Sequence, residues 1–387
     1  MNADTILNDA CEIGEDVVKT RRWLHAHAET GFDLTETVGF VKEKLNELGI
    51  ECHDCGKSGV VATLGVGSPV FLLRADMDAL PVKELADVDF ICENGNMHAC
   101  GHDMHTAILL GAAAILKKHE KDIKGTVKFM FQPAEETLSG AKNMIENGVL
   151  ENPSVDCAMM LHVLGGFPIP SGTVIIPADG VGAPAADYFT INVQGKGCHG
   201  SMPAAGVDAL TAASHILIAL QEISARELSL TDRAVLTIGT FHVGTAANAF
   251  ADTDVLGGTL RTYDEDVRAR IKERMSQLVQ AIAAAYRAKA EVRFGSGCPS
   301  LYNDEALSQA VGGYVTELLG EQSFPAMSGG GSEDFAYVSR EIPALMVALG
   351  TGVTEYPLHH PKAVFDEQAL PIGSAVFAYS AIRWLQN

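Results

Sequence analysis

Histidines, acids and one cysteine gather in a few short stretches of this sequence, with the spacing that metal chemistry needs. Cys100-Gly101-His102 sets a thiol and an imidazole two residues apart around a glycine, so the backbone can fold to aim both at one centre. A thiolate, an imidazole and a carboxylate together suit zinc, with cobalt, nickel or manganese as rivals. Two ligands make no site, and a buried cysteine beside a hydrogen-bonded histidine would give the same motif. Glu135 and Glu136 follow an apolar run across Pro133. Extended backbone there would send the two side chains to opposite sides, one to a metal and the other to a water it could deprotonate. A solvated surface pair is the plainer alternative. His162 ends the apolar stretch Cys157 to Leu161, either as a core-edge residue or as a ligand. His359 and His360 sit in a proline-bracketed loop, Pro357 to Pro361, where a surface turn is the alternative. Asp76 and Asp78 belong to the acidic stretch Arg74 to Pro81.

The elements that must position these residues follow from periodicity and turn signals. Helices are expected from Thr5 to Ala28 and from Leu34 to Leu48, the second stopped by Gly49. Strands are expected at Gly59 to Leu64, Val70 to Arg74, Thr126 to Phe131 and Asp156 to His162, with helices at Thr106 to His119 and Gly140 to Asn147. That alternation gives an α/β fold with a mostly parallel sheet flanked by helices. In such sheets ligands bind beyond the carboxyl ends of the strands, where these candidate residues fall. From about Ala183 the order becomes strand Tyr188 to Val193, helix Val207 to Arg226, strands Ala234 to Val243 and Val255 to Thr262, helix Glu265 to Ala288 and strand Glu291 to Phe294. That is a ferredoxin-like βαββαβ unit. The α/β style then returns with helix Asp304 to Leu319, strand Ala344 to Leu349 and helix Gln368 to Leu385. The expected organisation is a discontinuous domain, 1–183 and 296–387, interrupted by an inserted domain at 184–295.

The 387 residues suit two or three domains at roughly 150 residues each. With 28 Lys+Arg against 49 Asp+Glu the net charge is -21, which repels phosphate backbones and anionic lipid and argues against nucleic acid or membrane as partners. The acid-rich start, Met1 to Val18, does not resemble a secretory signal, and the apolar stretch Ala107 to Leu116 is too short to cross a bilayer. A cytoplasmic location is expected, and the eight cysteines are expected to be reduced thiols or metal ligands.

Taken together these stretches resemble the aminoacylase and carboxypeptidase-type two-metal metallopeptidase family, in its amidohydrolase branch of hippurate hydrolases, N-acetyl-amino-acid deacetylases and indoleacetyl-amino-acid hydrolases. The matching segments run nearly end to end: Arg21-Arg-Trp-Leu-His25 with Glu29 downstream, Leu73 to Pro81, Met97-His-Ala-Cys-Gly-His-Asp103, Gln132-Pro-Ala-Glu-Glu136, Leu161-His162, Gly195 to His199, Gly258 to Arg261, Gly331 to Phe335 and Leu358 to Pro361.

The resemblance implies a metal-dependent hydrolase that cleaves the amide bond of N-acyl-amino acids, N-acetyl or aromatic, to a carboxylic acid and a free amino acid. A dipeptidase or carboxypeptidase of the same family is the alternative, and a non-catalytic metal-binding module a remoter one. It implies two divalent metal ions per subunit, zinc, manganese, cobalt or nickel, with Cys100, His102, Glu136, His162 and His359 as ligands. Glu135 matches the general base and Asp78 the acid that orients the metal site. The inserted domain resembles a lid and dimerisation domain, which implies a homodimer. Its His199 matches a histidine that reaches the partner subunit's site and stabilises the oxyanion, while Asn248 and Arg261 match positions that hold the substrate's carbonyl and carboxylate. Without the resemblance, Arg261 suits an edge-strand solubiliser and Asn248 a turn. His98 and His105 are expected to be structural. His25-Ala-His-Ala-Glu29 lacks the proline usual before the glutamate of that motif. Cys52 and Cys55 have no further ligands nearby and are expected to be ordinary thiols. Gly329-Gly330-Gly331 offers backbone N–H groups for an anion, or simply a flexible turn.

Overall fold

The computed structural model describes residues 2–177, 179–244, 246–321 and 331–386. Gly329 and Gly330 of the triple-glycine run lie outside the described residues. In chain order the elements are α1 (Ala3–Glu12), α2 (Gly14–Ala26), α3 (Thr35–Glu47), β1 (Cys52–Cys55), β2 (Gly59–Gly65), β3 (Val70–Asp76), α4 (His102–Lys118), β4 (Thr126–Gln132), α5 (Gly140–Glu146), β5 (Cys157–Leu164) and β6 (Val174–Ile175). Next come β7 (Gly180–Ala183), β8 (Ala185–Gln194), β9 (Cys198–His199), α6 (Ala209–Glu222), β10 (Ala234–His242), β11 (Ala249–Phe250), β12 (Thr253–Thr262), α7 (Glu265–Ala285) and β13 (Lys289–Cys298). The chain closes with β14 (Leu301–Asn303), α8 (Glu305–Leu319), α9 (Ala336–Glu341), β15 (Ala344–Gly350) and α10 (Ala369–Leu385). Among the described residues two compact units result: 2–182 with 302–321 and 334–386, and 183–301 with 331–333.

The first unit is built on a seven-stranded sheet in the order β1-β2-β4-β3-β5-β15-β6. Its four central strands are parallel, and antiparallel β1, β2 and β6 finish the edges. β3 and β4 are buried along their whole length, as strands covered on both faces must be. Phe71 and Phe129 of these strands share one core with Ile108 and Leu109 of α4 and Phe377 and Ile382 of α10. The parallel register sets Asp76 beside Gln132 and Arg74 beside Met160, so the chain leaves β3, β4 and β5 at one end of the sheet.

The second unit follows the order β8-α6-β10-β12-α7-β13, with sheet order β10-β12-β8-β13 and every pairing antiparallel. Alternation decides its faces. Ile191, Leu256 and Leu260 turn to Ile216 and Leu220 of α6 and Ile271 and Met275 of α7, while Tyr188 and Val235 remain exposed.

Several expected boundaries move. The first helix is two, parted at Ile13 with Gly14 opening α2, since glycine weakens a helix interior. α4 starts at His102 rather than Thr106, because Gly101 at φ 87° turns the chain directly into the helix. β1, short and half polar, was not expected. All eight cysteines are free. No helix among the described residues is long and apolar enough to cross a membrane.

Candidate metal centre

The expected ligands of the first unit meet from four segments: Cys100 with His102 at the start of α4, Glu136 in the turn after β4, His162 in β5 and His359 in the loop before α10. His359 Nε2 lies 3.3 Å from Cys100 Sγ and 3.6 Å from Glu136 Oε1. His162 Nε2 lies 3.7 Å from Cys100 Sγ, and His102 Nε2 lies 3.9 Å from both Glu135 Oε2 and Glu136 Oε1. Donors bound tetrahedrally to one cation at ordinary bond lengths stand about 3.3–3.8 Å apart, so these separations are close to those of a coordination shell. The donors form overlapping triples, Cys100 with His102 and His162, and Cys100 with Glu136 and His359. Cys100 is common to both.

Hydrogen bonds fix which histidine nitrogens face the cluster. Nδ1 of His102 bonds the Asp78 carbonyl at 2.8 Å and Nδ1 of His162 bonds the Val163 carbonyl at 2.7 Å. A carbonyl only accepts, so each Nδ1 carries a proton and Nε2 is the nitrogen left for a metal. His102 Nε2 and Glu136 Oε1 are buried without a hydrogen-bond partner, an arrangement that calls for an ion or water. Burial, helped by Asp78 and Asp76 and opposed by His102, pushes Glu136 up to about 7. Burial also raises the Cys100 thiol, against the pull of His102. His102 is raised despite its burial, chiefly by the Asp76 carboxylate. The metal-free cluster therefore holds protons that a divalent cation would displace, and the donor set fits such ions.

The glutamates do not lie on extended backbone. Glu135 and Glu136 occupy a turn, entered through Ala134 at φ 55° and closed by Leu138 N–H donating to Glu135 O at 2.7 Å. Asp78 forces the bend: its Oδ1 accepts from Glu135 N–H at 3.0 Å and its Oδ2 from Glu136 N–H at 3.2 Å. Both carboxylates consequently face His102 rather than opposite sides. Asp78 thus touches the site twice, at the backbone of the two glutamates through its carboxylate and at His102 Nδ1 through its carbonyl.

His359, at φ 65°, is tied to the Cys100 turn by its N–H donating to Ala99 O at 2.9 Å. Its neighbour His360 stacks on Tyr356 instead, ring centroids 4.4 Å apart. His105 donates from Nδ1 to Asp76 Oδ1 at 2.6 Å and accepts Val163 N–H at Nε2. His98 is buried, with both ring nitrogens unpartnered.

Behind the cluster stands a charged scaffold that no metal-binding motif announces. Fully buried Arg74 bonds Asp76 Oδ2 at 2.8 Å, Gln132 Oε1 at 2.9 Å and Asp334 Oδ1 at 3.2 Å. An arginine within the apolar strand Val70–Asp76 was the available signal.

The remaining candidates stand on the second unit. His199, on β9, pairs with Ala249 of β11, next to Asn248, whose carbonyl accepts Gly200 N–H at 2.7 Å. Nδ1 of His199 is 2.8 Å from Ser201 Oγ. Arg261, on β12, lies over the Tyr188 ring at 5.3 Å.

Sheet, inserted βαββαβ unit and thiolate-imidazole-carboxylate donor set define a metal-binding α/β protein of the two-unit peptidase kind. The chain belongs to peptidase family M20/M25/M40, whose model matches residues 72–383. It is 37% identical over 375 residues to an N-acetyl-L-cysteine deacetylase of Bacillus subtilis (strain 168), covering 96% of this chain and 88% of that one. It is 34% identical over 381 residues to an IAA-amino acid hydrolase of Arabidopsis thaliana, covering 95% and 86%. A solved Bacillus subtilis structure, a dinuclear metal-binding peptidase of the M20 family, superposes with a TM-score of 0.81 at 34% identity, covering 97% of this chain and 99% of that one.

Proposed function

We propose that the protein is a metal-dependent amidohydrolase that cleaves N-acyl-amino acids. The observation that carries the reading is the convergence on Cys100 of two donor triples, with the buried carboxylate of Glu135 within 3.9 Å of His102. The deacetylase and IAA-amino acid hydrolase relatives support the substrate class. Cys100, His102, Glu136, His162 and His359 would hold two divalent cations, which, when bound, polarise the scissile carbonyl and make water more acidic. Glu135 takes a proton from the attacking water at a carboxylate oxygen and returns it to the departing amine nitrogen. Water and amide thus become a carboxylic acid and a free amino acid. Asp78 keeps Glu135 and Glu136 turned to the same side.

The same proposal assigns oxyanion stabilisation to His199, the substrate carbonyl to Asn248 and the substrate carboxylate to Arg261, whose planar guanidinium suits that group. It includes a homodimer formed through the second unit, whose edge strand β10 and exposed Leu210, Ile218 and Val235 offer a surface of the kind that association covers. Sedimentation tests the dimer.

Amine release from N-acetyl-, N-benzoyl- and indoleacetyl-amino acids and from dipeptides, with metal-stripped protein and with zinc, manganese, cobalt or nickel restored, tests the function. Turnover of the acylated substrates only after metal is restored is the expected result. Turnover of dipeptides alone would make it a peptidase, and no turnover with any metal would make it a binding module.

A further inference from the structure

The Arg21-Arg-Trp-Leu-His25 stretch has no part in the proposed chemistry, yet its side chains run directly to the ligand turn. Arg21 and His25 stand one helical turn apart on α2, both buried. Arg21 Nε donates to Asp103 Oδ2 at 2.6 Å and His25 Nδ1 donates to the same oxygen at 2.8 Å. His25 Nε2 meets Glu84 Oε1 at 2.8 Å, and Glu84 Oε2 accepts Cys92 N–H at 3.0 Å. Against the opposing effect of burial, the bonds to Asp103 and Glu84 raise His25, as a carboxylate at each ring nitrogen favours the charged ring. Phe90 closes the cluster, edge-on to His25 at 5.3 Å and beneath Arg21 at 4.8 Å.

Asp103 follows His102 directly. It lies in the first turn of α4, where a carboxylate is favoured by the helix dipole, but it makes no capping bond and faces α2 instead. Its Oδ1 is buried without a partner, so Oδ2 takes both bonds. Such a buried charge cluster is a poor source of stability after desolvation. Its consequence is local: Asp103 is the second residue of α4, directly after His102, and Cys100 and Gly101 immediately precede the helix.

We propose that Arg21 and His25 are positioning residues for the metal centre, holding Asp103 from α2 and thereby fixing the turn that presents Cys100 and His102. The proposal rests on the metal reading of the site. It distinguishes the two ring nitrogens of His25, because only Nδ1 reaches Asp103.

The test is the affinity of metal-stripped protein for zinc, measured by competition with a chromophoric chelator, in wild type, His25→Asn and His25→Gln, with thermal unfolding as the check on folding. Asparagine places its amide N–H near the position of Nδ1, and glutamine near that of Nε2. His25→Gln should bind zinc about 10–100-fold more weakly, the usual effect of losing a partner behind a metal ligand, while His25→Asn stays within about tenfold of wild type. Equal affinity in all three proteins, or equal weakening in both variants, would overturn the proposal. Should His25→Gln not unfold cooperatively, Arg21→Lys, which keeps the charge but loses the fixed Nε donor, is expected to weaken zinc binding by the same factor, and unchanged binding there would overturn the proposal. Wild-type protein that binds no zinc would overturn the metal reading itself, and this inference with it.

Discussion

Replacing Asp78 with alanine removes the group that turns Glu135 and Glu136 toward the cluster. Its two oxygens accept from the backbone N–H groups of those glutamates at 3.0 and 3.2 Å, and the carboxylate is fully buried. A hydrogen bond to a buried charged acceptor contributes about 1.5–3 kcal/mol, and its loss strands a donor that water does not reach. Two such bonds give about 3–6 kcal/mol for Asp78→Ala. The loss divides between global stability and the local geometry of the turn, since Ala134 at φ 55° has little reason to stay in the left-handed region once the carboxylate is gone. Urea unfolding of the metal-free protein reads the first part, and amine release from an N-acetyl-amino acid by the metal-restored protein reads the second. Asp78→Asn, which keeps one accepting oxygen, should fall between wild type and Asp78→Ala in both assays. A wild-type unfolding midpoint together with wild-type turnover in Asp78→Ala would refute this reasoning.

Two further outcomes are expected. Burial, partly offset by Asp103, pushes His98 down to about 3, so the folded protein favours the neutral ring while the unfolded chain titrates near about 6.5. The stability that His98 contributes is complete above about pH 6.5 and is lost as pH falls toward about 3, at up to ~1.4 kcal/mol per pH unit. Urea unfolding from pH 7 to 4 should show a shallower decline in His98→Leu than in wild type, and parallel declines would contradict this. A Cβ at Gly140 would lie 1.6 Å from the Pro133 carbonyl oxygen, so Gly140→Ala must displace the segment that joins β4 to Glu135. It should lower stability by about 1–3 kcal/mol in thermal unfolding, and an unchanged midpoint would count against the packing described.

Residue types and spacing made the candidate ligand stretches legible, because cysteine, histidine and glutamate together at strand ends are the donors a divalent metal takes. Cys100, His102, Glu136, His162 and His359 do meet. What the one-dimensional pattern could not carry was the backbone between motifs. Pro133 and two following glutamates read as extended, but the bend comes from Asp78, more than fifty positions upstream. His359 and His360 are equivalent as letters, and only the fold sends one toward Cys100 and the other onto Tyr356. The same distance hides Arg21, His25 and Asp103 from each other: a buried ion cluster assembled across α2 and α4 leaves no local periodicity. Element types were legible where runs were long, whereas β1, with the sequence Cys-His-Asp-Cys and half its positions exposed, looked like a loop.

The cluster is proposed to bind divalent metal, with Glu135 moving the proton. Metal content and turnover of an N-acetyl-amino acid, measured on the same preparations of wild type and Glu135→Gln, test it most directly. Equal metal content with turnover reduced by about 10²–10⁴ in the variant is the expected result. Turnover at the wild-type rate in metal-loaded Glu135→Gln would contradict it.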